Sequence, residues 1–290
     1  MPELPEVEVI RLGLNELIIG KKFSDVEFDW VKSFPNAKND IKLFLLNAKV
    51  INIQRKGKSI IINLSSNYSL VIHLRMTGQL IYRGEDAQFG GGHPSESLVG
   101  NLPDKSTRVI FTFSDKSKLF FNDQRKFGWV KLVPTSLIEE ISFYKKLGPE
   151  PLLKSFDAVV LHERLLRKAN TSIKAALLDQ TVLAGVGNIY ADESLWTAKI
   201  HPATQVKKLN IEETTKLTRA IKAVLKLSIK NGGSTDRNYV NARGQRGNYL
   251  VFANVFRLNG KPCKRCGTII IKIRVAGRGT HLCPSCQKIK

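Results

Sequence analysis

The first eight residues, Met1-Pro2-Glu3-Leu4-Pro5-Glu6-Val7-Glu8, contain groups that could carry out covalent chemistry. If the initiator methionine is removed, Pro2 becomes an N-terminal secondary amine in the α-amino pKa range of roughly 8, so part of it is unprotonated at neutral pH. Such an amine can attack a sugar C1′ atom and form a covalent iminium, which divides one difficult cleavage into two easier steps. Glu3 follows directly and could deliver or remove the protons.

The same stretch is also typical of a helix N-terminus. Pro5 suits the first helical position, and Glu6 and Glu8 complement the helix dipole. Apolar residues then recur at helical spacing as far as Gly20, which can end the helix. These residues are Val7, Ile10, Leu14, Leu17 and Ile18. We expect both interpretations to hold, with the buried helix face fixing where Pro2 points.

Four cysteines near the C-terminus have the spacing of a metal site. The pairs Cys263-x-x-Cys266 and Cys283-x-x-Cys286 enclose sixteen residues, as in a tetrahedral Cys₄ zinc ribbon. Because cysteine fills all four positions, one Zn²⁺ would be structural. A redox role is disfavoured, since the pairs flank a hairpin rather than a βαβ unit. We assign His281 to the surface.

The ribbon is also strongly basic. From Arg257 to Lys290 there are nine Lys or Arg residues and no Asp or Glu. Strands are expected over residues 268–275 and 280–282, with Ala276-Gly277-Arg278-Gly279 as the turn. Arg278 at this tip is a candidate for DNA contact, through phosphate or the minor groove. The alternative is an exposed turn arginine.

Glycines precede a predicted helix in Gly185-Val-Gly187-Asn188. Backbone N–H groups at such a turn form an anion site, although an ordinary Asn helix cap is the more common explanation. The helix before the turn contains Lys174, so that the pair forms a helix–two-turn–helix able to grip a phosphate.

Two further segments lie where strands run into loops. They are His73-Leu-Arg75-Met76-Thr-Gly78 and Asp123-Gln-Arg125-Lys-Phe127-Gly128. Apolar side chains here could wedge between bases while an arginine occupies the vacated stack, and an arginine also suits the O2 and N3 acceptors of cytosine. Taken without context, Met76 and Phe127 would more often be core residues.

Charge restricts the kind of partner. The 290 residues include 46 Lys and Arg against 25 Asp and Glu, a formal net charge of +21, which indicates a polyanionic partner. Nucleic acid is favoured over a membrane because no 18-residue apolar run occurs. A generally basic proteome would explain some of the excess. The acidic, Pro-rich N-terminus lacks the features of a signal peptide, and we expect a cytoplasmic, nucleoid-associated bacterial protein.

Short β-type runs follow the first helix, separated by Asn, Ser, Gly and Asp, which favours a β-sandwich over a parallel α/β sheet. The expected strands are residues 23–30, 50–54, 59–64, 70–74, 107–113, 119–121 and 128–133. The polar, glycine-rich segment from Arg83 to Ser106 is expected to be a long mobile loop. After Val133 the periodicity becomes helical, over residues 156–168, 173–179, 188–199 and 211–230.

These patterns predict an α+β multidomain fold. We place an N-terminal catalytic domain, made of the first helix and the β-sandwich, at residues 1–134. A linker follows at 135–152, where Pro149 and Pro151 disfavour helix. A helix–two-turn–helix DNA-binding domain at 153–260 includes a basic, Gly-containing loop at 237–249, and a zinc-finger β-hairpin occupies 261–290.

Together and in this order, the motifs resemble those of bacterial formamidopyrimidine-DNA glycosylases, also called 8-oxoguanine-DNA glycosylases. The segments that carry the resemblance are the eight-residue start, His73 to Gly78, Asp123 to Gly128, Leu147-Gly-Pro-Glu-Pro-Leu152, the turn before Asn188 and the Cys₄ ribbon. They cover the chain nearly end to end. Leu4 is similar to this branch rather than to the endonuclease VIII branch, which usually has Gly there.

The resemblance implies a bifunctional base excision repair enzyme, a DNA glycosylase and AP lyase that removes oxidised purines from double-stranded DNA. Pro2 would attack C1′ of the flipped lesion. Glu3 would donate a proton that helps to open the sugar, and Glu6 would support the setting of the amine. Lys58 matches the lysine assigned to β-elimination, and Arg278 matches the arginine assigned to δ-elimination.

The resemblance also implies DNA contacts. Met76, Arg125 and Phe127 match a void-filling triad, with Arg125 facing the orphan base, preferably cytosine. Phosphate contacts match His73, Lys174 and Asn188, and the loop 237–249 matches a lesion-capping loop. The family commonly has Lys-His-x-His where this chain has Lys105-Ser-Thr-Arg108, so a histidine contact to DNA would be missing or replaced by Arg108. Phe256 stands where a Tyr is usual, which removes one possible hydroxyl contact.

We expect a monomer acting on duplex DNA, and two alternatives remain. One keeps the chemistry but prefers oxidised pyrimidines. The other is a zinc-ribbon DNA-binding protein without catalysis, which the joint presence of Pro2, Glu3 and Lys58 argues against.

Overall fold

The computed structural model describes residues 1–234 and 248–290. The chain forms two compact units. The first contains Met1–Lys145 with the described residues 231–234 and 248, and the second contains Lys146–Lys230 and Tyr249–Lys290. A helix with a β-sandwich, a helical domain and a terminal cysteine cluster confirm the predicted fold class. The predicted limits of the four segments stay a prediction.

Helix α1 spans Leu4–Ile18 and begins beside the candidate nucleophile. Glu3 is its N-cap, with extended backbone, and a capping box links Glu3 to Glu6. The predicted apolar stripe is buried in the core of the first unit, fully at Val7, Ile10, Leu14 and Ile18 and partly at Leu17. Each fully buried Val, Leu or Ile contributes about 1.5–3 kcal/mol, which holds the start of the helix in place.

The strands of the first unit form two antiparallel sheets around one core. They are β1 (Phe23–Phe28), β2 (Val50–Lys56), β3 (Ser59–Leu64), β4 (Tyr68–His73), β5 (Gly78–Arg83), β6 (Gln88–Gly92), β7 (Thr107–Phe113), β8 (Lys118–Asp123) and β9 (Trp129–Pro134). One sheet has the order β1-β7-β8-β5-β6 and the other the order β2-β3-β4-β9. The seven predicted strands are all present, with ends displaced by two residues or fewer. The short helix α2 (Lys38–Asp40) and a π-helix over Ile41–Leu45 were not predicted.

The prediction of a long mobile loop from Arg83 to Ser106 is wrong. Strand β6 lies within it and pairs with β5, and a 3₁₀ helix follows at Glu96–Leu98. Phe89 on β6 is buried and packs over Gly13 of α1, where a Cβ atom would overlap the ring. Three consecutive glycines after Phe89 concealed the strand, because they give no alternation of apolar and polar side chains.

One end of the sandwich gathers the connections that carry candidate residues. In one sheet, Ser59 at the start of β3 pairs with His73 at the end of β4, which pairs with Trp129. In the other, Gly78 at the start of β5 pairs with Asp123 at the end of β8. The loops 74–77 and 124–128 each cross between the sheets, so both carry their side chains at this end.

The second unit is helical. The first unit ends in a short helix α3 (Ser142–Lys145). The helices of the second unit include α4 (Ala158–Leu166), α5 (Ile173–Leu178), α6 (Asn188–Thr197) and α7 (Ile211–Lys230). The four predicted helices are confirmed, with ends within two residues. Asp157 and Ser172 cap α4 and α5 through their side chains. No helix in the described ranges is long and apolar enough to cross a membrane.

The chain ends in a short helix α8 (Tyr249–Phe252) and a hairpin of β10 (Ile271–Val275) and β11 (Arg278–Leu282). The turn is narrower than predicted. Only Ala276 and Gly277 form it, both with positive φ, 49° and 76°, as a two-residue hairpin turn requires. Arg278 is the exposed first residue of β11 and pairs with Val275.

Candidate active site

The candidate nucleophile lies at the buried start of α1. Pro2 is buried, and the side chains of Glu3 and Glu6 are 4% and 6% exposed. One Glu6 carboxylate oxygen, Oε2, accepts a hydrogen bond from the Glu3 backbone N–H at 2.9 Å. The other, Oε1, accepts from the Ser234 backbone N–H at 2.8 Å and its hydroxyl at 2.9 Å. Glu6 therefore joins the residue next to Pro2 to residue 234.

Gly233 permits this contact. Its φ is +84°, and a Cβ atom there would lie 3.1 Å from Glu6 Oε1. A side chain at residue 233 would be strained in this conformation and crowd the carboxylate. Of the predicted capping loop 237–249, residues 237–247 lie outside the described residues, and Tyr249 begins α8.

Lys58 lies in the two-residue turn between β2 and β3. Gly57 takes a positive φ of 57° there, and the Lys58 side chain is buried. Arg55 fixes the turn, because its Nε donates to Glu8 Oε2 on α1 and its Nη1 donates to the Gly57 carbonyl, each at 3.0 Å. Arg55 was not predicted as a site residue, although it lies in the same basic run as Lys58.

His73 is buried at the end of β4 between the rings of Trp129 and Phe143, with ring centroids 5.9 and 5.5 Å away. Burial, together with the nearby positive charges of Arg75 and Lys58, lowers the pKa of His73 to about 3. The imidazole is therefore neutral at pH 7. Its Nδ1 accepts a hydrogen bond from the Arg75 backbone N–H at 3.1 Å, so the ring proton is on Nε2 and available to a phosphate.

The three residues of the predicted void-filling triad project from the two sheet-crossing loops. Met76 is 37% exposed and Phe127 is 53% exposed, so neither belongs to the core. The Arg125 guanidinium stacks over the Phe127 ring, 4.7 Å from its centroid. These two apolar side chains and the cation therefore lie together at the surface, at the same end of the sandwich.

Asp123 connects the two loops. It is completely buried, and its Oδ1 accepts hydrogen bonds from the Thr77 hydroxyl and from the Arg125 backbone N–H, the latter at 3.2 Å. Its Oδ2 accepts from the Gly128 backbone N–H at 2.6 Å. Asp123 thus fixes the loop of Met76 and the loop of Arg125 to each other. This role of Asp123 was not predicted, although an Asp at a strand end five residues before a Gly is typical of a side-chain-capped turn.

The DNA contact of Arg108 stays a prediction, and in this structure the side chain is engaged within the protein. Its side chain is 6% exposed and pairs with Asp29. Its remaining donors bond the carbonyls of Lys105 at 2.5 Å, Thr107 at 3.1 Å and Asp123 at 3.0 Å. The guanidinium donors thus bond the start of β7 to the end of β8. A phosphate could reach the guanidinium only if these hydrogen bonds broke.

Asn188 begins α6, after a turn that Gln180 stabilises. The Gln180 side chain accepts from the Gly185 N–H and donates to the Val186 carbonyl, each at 2.9 Å. The Asn188 side-chain amide donates to the Gly279 carbonyl of the terminal hairpin at 3.1 Å. The backbone at this helix start remains a candidate anion site, and Asn188 additionally ties it to the hairpin.

Lys174, predicted to contact phosphate, lies inside the second unit. Its side chain is 0% exposed, and its Nζ contacts Asp192 Oδ1 at 2.6 Å, Thr280 Oγ1 at 2.7 Å and the Gly279 carbonyl at 3.2 Å. A buried ammonium is stable only with such partners. Lys174 therefore joins α5, α6 and β11, and its phosphate contact stays a prediction.

His281 is buried as well, which corrects its assignment to the surface. Its backbone N–H donates to Asp192 Oδ2 at 2.9 Å, and its ring packs edge-on against Phe256. Asp192 thus uses both oxygens to hold the hairpin. In the sequence, only the position of Asp192 distinguishes it from a surface acid, since it lies four residues after Asn188, where the helix begins.

The four cysteines form one cluster, as predicted. Their Sγ atoms all lie within 4.8 Å of one another, with Cys266 3.4 Å from both Cys283 and Cys286, and Cys263 4.0 Å from Cys286. A tetrahedron with metal–sulfur distances of about 2.3 Å has edges of about 3.8 Å, so the cluster fits zinc.

Neighbouring groups shift the pKa values of these thiols in opposite directions. Hydrogen bonds from the Thr268 side chain and backbone lower the pKa of Cys266 to about 6. The Trp196 indole N–H and the Arg265 backbone N–H each donate to Cys263 Sγ at 3.4 Å. Burial and the neighbouring thiols raise the pKa of Cys286 to about 12 in the absence of metal, as repulsion between thiolates requires.

Family models match nearly the whole chain. The formamidopyrimidine-DNA glycosylase N-terminal domain matches residues 1–130, the formamidopyrimidine-DNA glycosylase H2TH domain matches 147–239, and the zinc finger found in FPG and IleRS matches 260–289.

Individual proteins match over their full length. A formamidopyrimidine-DNA glycosylase of Pelotomaculum thermopropionicum is 41% identical over 292 residues, covering 100% of both chains. A Lactococcus lactis FPG mutant in complex with Fapy-dG containing DNA has a TM-score of 0.87 and 36% identity, covering 99% of this chain and 100% of that one. The wild-type L. lactis FPG with an oxidised pyrimidine containing DNA has a TM-score of 0.85, 36% identity and the same coverage.

Proposed function

Because the chain belongs to the formamidopyrimidine-DNA glycosylase family, we propose that it is a bifunctional DNA glycosylase and AP lyase that excises oxidised purines, preferably opposite cytosine, in base excision repair. The observation that carries the proposal is the start of α1. There, Pro2 and Glu3 are buried at a capped helix end, and Glu6 holds the Glu3 amide.

The reaction begins with the neutral Pro2 amine. Its nitrogen bonds to C1′ of the flipped nucleotide while the bond from C1′ to the base breaks, and the base leaves with the electron pair. The bonded nitrogen releases its proton to solvent, Glu3 gives a proton to the sugar ring oxygen, the C1′–O4′ bond breaks and an iminium forms. Lys58 removes a proton in the β-elimination, and Arg278 assists the δ-elimination, so the strand is cut on both sides.

The two sheet-crossing loops maintain the extruded state. Flipping a nucleotide costs a few kcal/mol of stacking, which side chains inserted into the vacated space offset. Met76 and Phe127 are the exposed apolar side chains for this, and Arg125 presents donors to the O2 and N3 acceptors of the orphan cytosine. Because Asp123 joins the loops, the three side chains enter the duplex together.

Phosphate contacts in this proposal come from His73 Nε2–H and from the backbone at the start of α6 at Asn188. Lys174 and Arg108 are buried among partners within the protein, so a phosphate contact of either would require those bonds to rearrange. The +21 charge supplies the sequence-independent, salt-dependent part of the affinity.

One Zn²⁺ is structural in this proposal. Cys263, Cys266, Cys283 and Cys286 would hold it, and since all four ligands are protein thiolates, none is left to activate water. The folded ribbon would then hold Arg278 at the tip of its hairpin.

A second candidate substrate class is oxidised pyrimidines. The L. lactis enzyme in complex with an oxidised pyrimidine containing DNA is 36% identical to this chain, which favours testing both classes.

Borohydride trapping tests the proposal directly. Purified protein, with loss of Met1 verified by mass, is incubated with a duplex containing 8-oxoguanine opposite cytosine, and Pro2→Gly and Pro151→Gly are compared. We expect a covalent adduct with wild type and with Pro151→Gly, whose site lies in the connector, and none with Pro2→Gly. No wild-type adduct on this duplex, with an adduct on thymine glycol, would transfer the assignment to pyrimidines. Binding without an adduct on the 8-oxoguanine, thymine glycol or abasic duplex would instead indicate a DNA-binding protein without catalysis.

A further inference from the structure

Glu8 lies on α1, the helix that follows Pro2, and both of its carboxylate oxygens are bonded within the first unit. Its Oε1 accepts hydrogen bonds from Arg11 Nη2 at 2.7 Å and Nε at 2.9 Å. Its Oε2 accepts from Arg55 Nε at 3.0 Å. The Glu8 and Arg55 side chains are 18% and 9% exposed, so solvent screens their charges only weakly. Such charge-assisted bonds are about twice as strong as neutral ones, and Glu8 therefore holds two guanidinium groups against the helix.

Arg55 extends this contact into the turn between β2 and β3. Its Nη1 donates to the Gly57 carbonyl at 3.0 Å while its Nε is bonded to Glu8. Because the guanidinium is planar and rigid, two bonds made from different nitrogens fix the orientation of the whole group. The Gly57 carbonyl belongs to the peptide bond that joins Gly57 to Lys58, whose side chain is buried. A carboxylate on α1 is thus connected, through one guanidinium, to the backbone that carries Lys58.

Arg11 makes a separate connection from the same carboxylate. Its Nη1 donates to the Ile53 carbonyl at 3.4 Å, in the body of β2, where Ile53 pairs with Ile62 of β3. Helix α1 also packs directly on β2 and β3. Arg11 therefore bonds the helix to the middle of a strand, whereas Arg55 bonds it to the turn. The two arginines share one carboxylate and differ in what they hold.

The two ends of the Arg55 connection belong to successive steps of the reaction proposed above. Pro2, before the start of α1, bonds to C1′, and Lys58 then acts on the intermediate that remains attached to the Pro2 nitrogen. In β-elimination a proton leaves C2′ while the bond from C3′ to oxygen breaks, and the phosphate leaves with the electron pair. Because the intermediate is attached at Pro2, Lys58 can reach C2′ only if its turn is placed correctly relative to α1.

We propose that Glu8 is a positioning residue for β-elimination, acting through Arg55 to hold the turn of Lys58 against the helix. The inference rests on the proposed function. Formation of the adduct depends on Pro2 and Glu3, at the helix end that the capping box holds, whereas elimination depends on the turn. Loss of the bond between Glu8 and Arg55 should therefore slow elimination and leave base removal close to the wild-type rate.

Single-turnover assays on a duplex with 8-oxoguanine opposite cytosine separate the two steps. Each sample is divided, so that alkali cleaves every excised site and reports base removal, while the untreated half reports strand cleavage by the protein. We expect Glu8→Gln and Arg55→Met to remove the base within about twofold of the wild-type rate and to cleave the strand about 10–100-fold more slowly, since a misplacement of 1 Å can cost about 100-fold. Arg11→Met, which keeps the bond from Glu8 to Arg55, should retain the wild-type ratio of the two rates.

A double variant distinguishes positioning from a general loss of structure. If Glu8 acts through Arg55, the protein with both Glu8→Gln and Arg55→Met should cleave no more slowly than the slower single variant, because residues in one network have non-additive effects. A wild-type ratio in Glu8→Gln, equal slowing of both steps, or additive losses in the double variant would overturn the role of Glu8, while wild-type trapping kept the proposed function intact. Failure of wild type to form a trapped adduct would instead overturn both.

Discussion

Burial determines what each basic side chain of the site can do. Arg108 and Arg125 belong to neighbouring strand and loop positions, but the first spends its donors on backbone carbonyls while the second stacks in the open over Phe127. His73 is an intermediate case, since its ring is buried and neutral yet retains one N–H. The available chemistry therefore follows from partners rather than from residue type.

His73 should give the protein an acid-sensitive stability. Its folded pKa of about 3 lies below the ordinary value of 6.5, so the unfolded chain binds more protons between these values. The contribution is complete above about pH 6.5 and declines by about 1 kcal/mol per pH unit as pH falls towards 3. Urea unfolding between pH 4.5 and 7 should show a shallower pH dependence in His73→Gln than in wild type. Parallel curves for the two proteins would contradict the assignment.

At the scale of elements, the hairpin of β10 and β11 is fastened to the helices by a buried charge network. The Lys174 ammonium on α5 contacts the Asp192 carboxylate on α6 and the Gly279 carbonyl of the hairpin. The same carboxylate accepts a hydrogen bond from the His281 backbone N–H of β11. The residue next to Gly279 is Arg278. Lys174 is therefore a positioning residue for the hairpin tip.

Replacing Lys174 should alter the products as well as the stability. Lys174→Met leaves Asp192 buried without its partner, which costs about 3–5 kcal/mol. The displaced tip should raise the ratio of β- to δ-elimination products on abasic DNA about tenfold or more, since misplacement by 1 Å can cost about 100-fold in rate. Gel analysis of the cleaved strand measures the ratio.

Two variants make this result specific. Lys174→Met with Asp192→Asn removes the unpaired charge, and we expect it to recover stability but keep the altered product ratio. Lys168→Met removes a partly exposed pair with Asp179, 2.9 Å apart, and should change stability by less than about 1 kcal/mol. A folded Lys174→Met protein with the wild-type ratio would show that the hairpin tip is positioned by other contacts.

At the scale of the whole molecule, we expect DNA affinity to depend on zinc. Zinc binding must displace protons from the thiols, so acid favours release, and we expect bound zinc to decrease as pH falls. Cys283→Ser should lose the metal and bind duplex DNA more weakly than wild type, because the basic ribbon folds around the metal. Elemental analysis and fluorescence anisotropy measure these two quantities.

Ser285→Ala is the matched control, because it lies between Cys283 and Cys286 without being a ligand. It should keep one zinc per chain and wild-type affinity. Full affinity in a metal-free Cys283→Ser protein would separate the ribbon from DNA binding.

Patterns with strong local rules were predictable from the sequence. The capped, periodic α1, the seven short β-type runs and the cysteine cluster follow from composition and spacing. Strand β6 was hidden because glycines have no side-chain pattern, and the burial of Arg108 and Lys174 was not predicted because burial depends on partners distant in sequence, such as Asp29 and Asp192. Asp123 was overlooked for the same reason.

The carboxylate of Asp123 has a consequence for the energetics of damage search. Both sheet-crossing loops are fastened to it, so the conformational freedom that three inserting side chains would otherwise lose at each encounter with DNA is already lost when the protein folds. A protein that inspects very many undamaged base pairs for each lesion thereby incurs that entropy cost once per folding event, rather than once per base pair inspected.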